Sequence, residues 1–192
     1  IRRQRQMCIR DRKRTGWFEC SSPMLNQLYH NIVWGQKGNF LDVPTDCPQR
    51  DERLGWTGDA QVFVRTAAYN FQVERFFRKW LHDIRADQLK NGAVPHVIPN
   101  VLGEDTSAAW GDASVICPWQ IYLAYGNVQV LEDQFDSMKA WVDYIRSQGD
   151  REELWNTGTH FGDWLAMDHP DGPDAYDGGT DKTLIATAFF AN

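Results

Sequence analysis

The stretch DVPTDCPQRDERLGWTGDAQ, residues 42–61, gathers five acids, two arginines and a tryptophan in a segment broken by two prolines and two glycines. The acids are Asp42, Asp46, Asp51, Glu52 and Asp59, and the bases are Arg50 and Arg53. Proline removes a backbone donor and glycine weakens both regular structures, so a loop is expected here. Carboxylates packed near apolar groups such as Trp56 and Cys47 cost free energy unless they are paired or shift their pKa. Such arrangements concentrate at functional sites.

Outward from this loop, the periodicity is helical. Towards the N-terminus, Ser22 stands as a cap, Pro23 as a first helical residue, and Leu25, Leu28 and Ile32 follow at helical spacing until Gly38. Towards the C-terminus, one helix is expected over 59–69 with Val62, Phe63 and Ala67 inward. Another is expected over 73–89, on a face of Phe76, Phe77, Trp80, Leu81 and Ile84. A helix is expected over 113–125 despite Pro118, and one over 128–148 with Leu131, Phe135, Met138, Trp141, Val142 and Ile145 on its stripe. A sixth begins at Lys182 and reaches Asn192 without a terminator, which reads as a truncated pattern. KNGAVPHVIPNVLGED, residues 90–105, and the segment 157–181 read as loops. No strand pairing is expected, so the fold class is all-α, a helical scaffold with chemistry on a few long loops.

Composition narrows the function classes. The chain is 42% hydrophobic and 13% aromatic, which disordered chains are not. Residues 1–14 hold seven Lys/Arg and one acid, leaving thirteen bases against twenty-five acids in the rest. An acidic body disfavours phosphate-backbone binding, so nucleic acid is not an expected partner. The basic opening, 1–14, lacks an apolar face and reads as a non-native leader, and the domain is taken as 15–192. No apolar run approaches the roughly 18 residues of a membrane span, so no membrane partner is expected. The compartment, cytoplasmic or secreted, is not encoded in these residues.

Cys8, Cys20, Cys47 and Cys117 form no CxxC pair and read as packing thiols. The acidic loop lacks the regular oxygen spacing of a calcium loop, and its arginines would oppose a cation. Asp168, Asp171, Asp174, Asp177 and Asp181 are the better calcium candidates, but they match no motif and read as a solvated loop. No metal site and no cofactor are expected. The five histidines are too scattered for a ligand set.

Hydrolysis of a glycoside uses what the loops do offer. One carboxyl donates a proton to the leaving oxygen, a second activates water, and further acids and an arginine hold hydroxyls. Tryptophan faces suit the C–H side of a pyranose. A tryptophan near a Gly-Asp pair recurs at Trp56, Trp110 and Trp164, each time in a loop. Carbohydrate is thus the expected ligand class.

The twenty-residue loop resembles the signature of the bacterial α-L-rhamnosidases of glycoside hydrolase family 78. GWFECSSPMLNQLYHNIVWGQKGNF, AWGDASVICPWQIYLAYGN and HFGDWLAMD…DKTLIATAFFA fall in that family's order. The resemblance covers 15–192 and implies part of an (α/α)6 barrel, the six-hairpin glycosidase architecture. It implies release of terminal α-L-rhamnose with inversion and without a cofactor. It further implies Glu52 as general acid, Asp46, Arg50 and Asp59 as sugar-holding groups, and Trp56, Trp110 and Trp164 as the aromatic wall. The family's general base is a glutamate in later hairpins, beyond residue 192, and Glu152 and Glu153 lie in an ordinary polar stretch. Expected partners are therefore a rhamnose-containing glycoside or polysaccharide, the rest of the barrel, and accessory β-domains. Alone, the 192-residue chain is expected to be inactive and prone to aggregate. The alternatives are a six-hairpin glycosidase for another sugar and a non-catalytic carbohydrate-binding helical module.

Overall fold

A computed structural model of the chain describes residues 12–166 and 176–191. Among them run six helices: α1 (Pro23–Asn39), α2 (Thr57–Asn70), α3 (Glu74–Asp87), α4 (Ala113–Tyr125), α5 (Gln129–Arg146) and α6 (Lys182–Ala191). The remaining pairing among the described residues consists of isolated bridges, such as Trp56 with Val97 and Trp164 with Asp177.

Helices α2/α3 and α4/α5 are consecutive pairs. α4 packs on α2, α3 and α5, and α3 also meets α5. The first helices of the two hairpins thus face each other, as do the second helices, which is how hairpins assemble around a barrel. Their sequences suit these places. α3 is polar outward and apolar on one stripe, with Phe77, Trp80, Leu81 and Ile84 buried. α4 is apolar around most of its surface, as a helix with neighbours on several sides must be. Burying each large α3 side chain stabilises by about 2 kcal/mol.

Several expected faces are rotated. Leu25 and Leu28 of α1 are exposed, while Val33 and Gln36 point inward. Gln36 donates to the Ala67 carbonyl at 3.2 Å and accepts from Asn70 at 3.0 Å, so a polar residue takes the interior place and ties α1 to α2. Val62 faces outward, and Ala60 and Val64 pack inward beside Ala67. On α5, Phe135 is exposed, and the buried stripe is Val130, Gln134, Ser137, Trp141 and Ile145. Ser22 occupies the N-cap of α1, but its hydroxyl caps nothing. The side chain of Asn26 closes that turn instead, bonding the Cys20 N–H and carbonyl at 2.9 and 2.8 Å.

The loop from α3 to α4 is more interior than its turn residues suggest. Ala93, Val94, Val97 and Ile98 are buried, and the Trp80 indole donates to the Ile98 carbonyl at 3.3 Å. This loop cradles the acidic one: the Ile98 N–H donates to Gly55 and the Thr57 N–H to His96, both at 2.9 Å. Cys47 and Cys117 are buried free thiols, while Cys8 lies outside the described residues. No described helix is long and apolar enough to cross a membrane.

Candidate active site

The acidic segment is an ordered loop closed on itself. The Asp46 N–H donates to the Leu54 carbonyl at 3.1 Å, and the Leu54 N–H returns to Oδ1 of Asp46 at 3.1 Å. Within it, Arg50 grips Oε2 of Glu52 through Nε and Nη2, at 3.1 and 2.9 Å, and reaches Oδ2 of Asp46 at 3.7 Å. Arg53, in the left-handed region at φ 54°, pairs with Asp51 at the surface. Asp42 pairs with Lys79 of α3 at 3.5 Å.

Beside this loop opens a pocket of about 660 Å³, bounded by α1, α2, α6 and the two later loops. Asp46, Asp59, Trp110 and Trp164 all line it, together with Gln61 and Asp163. Asp59 lies in the first turn of α2, where the helix N-terminus favours a negative charge. Its carboxyl is nonetheless held above the ordinary aspartate range. Burial is the main cause, Asp46 and Glu52 push the same way, and its own backbone N–H and Arg50 oppose them. Asp59 keeps accessible surface at the pocket mouth, so water screens part of this effect.

Glu52 and Arg50 are not among the lining residues; Glu52 is partly exposed, its side chain 30% accessible. Ligand atoms of Asp46, Cys47 and Glu52 lie within 4.8 Å of one another, so the expected general acid stands beside the pocket carboxylate. That trio could in principle hold a cation, but the guanidinium of Arg50 already supplies the positive charge between the two carboxylates.

The three tryptophans are joined by rings that spacing did not reveal. Trp56 stacks on His96 at 6.4 Å, and His96 meets Phe161 at 5.2 Å. Phe161 lies 4.3 Å from Trp110 and 5.3 Å from Trp164, whose ring stacks on Tyr176 at 5.6 Å. Trp110 lies flat on the start of α2, where a Cβ on Gly58 would meet its indole at 2.7 Å. Three site residues each carry a buried polar atom with no hydrogen-bond partner among the described residues: Oδ2 of Asp46, Nε1 of Trp56 and Nε1 of Trp110. Buried polar groups are ordinarily satisfied, and leaving one unpaired costs about 1–3 kcal/mol.

Sequence reasoning missed Asp112, His96, Phe161 and Asp163. Asp112 is buried, accepts from the Trp141 indole at 2.8 Å and the Ala109 N–H at 2.7 Å, and has its pKa raised by burial against those two bonds. Ala109 is held at φ 68°, a left-handed conformation that costs a side-chain-bearing residue about 1 kcal/mol. His160 is also buried and bonds protein groups, the Ala108 N–H and the Thr157 carbonyl. The later aspartates divide. Asp177 pairs with Lys182, Asp181 caps α6 by accepting the Thr183 and Leu184 amides at 2.9 Å, and Asp168, Asp171 and Asp174, like His169, lie outside the described residues. Glu152 pairs with Arg146 at the surface, at 2.9 Å.

Known proteins resemble the chain over nearly its whole length. Residues 13–192 match the family model described as the bacterial alpha-L-rhamnosidase 6 hairpin glycosidase domain. An alpha-L-rhamnosidase of Formosa agariphila is 46% identical over 178 residues, 92% of this chain and 19% of that protein. The crystal structure of Streptomyces avermitilis alpha-L-rhamnosidase complexed with L-rhamnose superposes with a TM-score of 0.83 at 48% identity, covering 94% of this chain and 16% of that one. The Aspergillus terreus enzyme gives 0.84 at 44% identity, covering 93% and 21%. The chain therefore spans about a fifth of the length of such relatives. Among the described residues, six helices without a strand element and the acid loop beside an aromatic-walled pocket agree with the match over 13–192: the chain belongs to the bacterial α-L-rhamnosidase six-hairpin glycosidase family.

Proposed function

We propose that this chain carries the acid-donating and sugar-holding part of an inverting α-L-rhamnosidase. The observation that carries the reading is the convergence of two carboxylates, Asp46 and Asp59, and two indoles, Trp110 and Trp164, on one pocket. Carboxylates that accept hydroxyl hydrogens beside flat apolar faces suit a sugar, whereas an apolar ligand leaves the carboxylates unmatched. In this reading Asp46 and Asp59 accept sugar hydroxyls, Arg50 donates, and Trp110 and Trp164 cover the apolar ring faces. Trp56 backs the loop through its stacking on His96.

Glu52 is then the proton donor. Its proton passes to the glycosidic oxygen as the bond from that oxygen to the anomeric carbon breaks. Water adds to the opposite face and gives its proton to a carboxylate roughly 6.5–9.5 Å from Glu52. That base is a glutamate from outside these 192 residues. The substrate is a terminal α-L-rhamnoside of a glycoside or polysaccharide, and the partners are the other hairpins and accessory β-domains.

The test uses a protein of the relatives' full length carrying this segment, offered a panel of aryl glycosides under proton NMR. The expected result is turnover of the α-L-rhamnoside, with β-L-rhamnose appearing first. Retention, or preference for another sugar, contradicts the reading. The engagement of Glu52 by Arg50 favours one rival, a module that binds sugar without turnover. Calorimetric binding of L-rhamnose with no hydrolysis would establish it.

A further inference from the structure

Two consecutive backbone amides beside the pocket are each captured by a buried side chain. The Ala108 N–H donates to Nδ1 of His160 at 3.2 Å, and the Ala109 N–H donates to Oδ2 of Asp112 at 2.7 Å. The other oxygen of Asp112 accepts the Trp141 indole N–H at 2.8 Å. The same Trp141 ring fills the space a Cβ on Gly111 would need, with its nearest atom 2.2 Å from that position. His160 is fixed in turn. Its Nε2 bonds the Thr157 carbonyl at 3.0 Å, and its ring stands edge-on to Trp155 at 4.6 Å. Accepting at Nδ1 while donating at Nε2 admits only the neutral Nε2–H tautomer.

The residue between these anchors and the pocket is Trp110. Its indole N–H has no partner among the described residues, so no hydrogen bond of its own fixes the ring. The turn beneath it must do so, and that turn contains Ala109 at φ 68°. Such a conformation persists where its surroundings over-determine it. Neither Asp112 nor His160 lines the pocket, so neither meets a ligand there.

We propose that Asp112 and His160 are positioning residues, which hold the strained turn at Ala108–Ala109 and thereby lay Trp110 against Gly58 as a fixed wall of the pocket. The consequence for turnover rests on the rhamnosidase reading, while the placement of Trp110 does not.

Two readouts separate them, in a protein of the relatives' full length carrying this segment. Hydrogen exchange by mass spectrometry on Asp112→Asn is expected to rise about tenfold or more in a peptide spanning 107–112, with the helices unchanged. Asparagine keeps the shape but offers one acceptor where two N–H groups must be met. A double-mutant cycle with Trp110→Ala then reads kcat/KM on an aryl α-L-rhamnoside. Asp112→Asn is expected to lose about tenfold alone and nothing further once Trp110 is absent. His160→Phe, which keeps a buried ring but removes the acceptor of the Ala108 N–H, is expected to show the same coupling and the same faster exchange, and it decides the matter if Asp112→Asn fails to fold. Unchanged exchange at 107–112, or a loss from Asp112→Asn equally large without Trp110, overturns the proposal. If the wild type ignores the rhamnoside, the sugar reading fails, and exchange still decides whether Asp112 holds the turn.

Discussion

His160 shows what a single residue does at this site. Burial lowers its pKa from the usual 6.5, the bond to Thr157 opposes that, and Lys182 adds to the lowering. In the unfolded chain the imidazole binds a proton more readily, so between its folded value and 6.5 the unfolded state holds more protons and stability rises with pH. His96, also lowered by burial, acts in the same direction. Thermal melts at descending pH are therefore expected to show stability lost below 6.5, with a shallower loss in His160→Gln. An identical slope in the variant would contradict this. Gly58 is the second case. A methyl there would sit 2.7 Å from the Trp110 indole, so Gly58→Ala is expected to cost about 1–3 kcal/mol in denaturant titrations and to weaken substrate binding. Of the expected site residues, Asp46, Asp59, Trp110 and Trp164 line one pocket, whereas Arg50, Glu52 and Trp56 do not. Asp112 was not legible, because a buried acid bonded to a backbone amide and an indole carries no spacing signal.

At the scale of elements, helix existence followed from periodicity and helix orientation did not always. The α3 face, with Phe77, Trp80, Leu81 and Ile84, matched because large aromatic and aliphatic groups alternate there with charges. On α5 the reading chose Phe135 and missed Gln134 and Ser137, which face inward. A polar residue inside breaks the apolar pattern from which a stripe is read. The 90–105 loop misled in the other direction, since its prolines and glycine signal turns while Val94, Val97 and Ile98 fill the core. The contrast is measurable. Trp80→Ala, at a fully buried position, is expected to lose about 3–5 kcal/mol of stability. Phe135→Ala, at a position 63% exposed, is expected to change it by less than about 0.5 kcal/mol. A large loss at Phe135 in the full-length protein would mean that a further element covers it.

At the scale of the whole molecule, apolar side chains stand in solvent on several helices: Met24 and Leu28 on α1, Trp119 and Leu123 on α4, Leu184 on α6. Large apolar side chains left in solvent favour association. The 192-residue chain by itself is expected to sediment as a mixture of oligomers and to leave rhamnosides untouched; a monodisperse, active monomer would contradict both expectations. The all-α class was readable from six periodic segments, and the six-hairpin family from the twenty-residue acid loop. Closure of the aromatic wall was not readable, because His96 and Phe161 join Trp56, Trp110 and Trp164 only once the loops are folded together. The central claim is that Glu52, beside this pocket, donates the proton. Its most direct test is the rate on p-nitrophenyl α-L-rhamnoside of the full-length protein carrying this segment, with and without Glu52→Gln. Turnover by the wild type and a loss of about 10²–10⁴-fold in the variant are expected, the range that a positioned general acid contributes. A variant that retains wild-type turnover would contradict it.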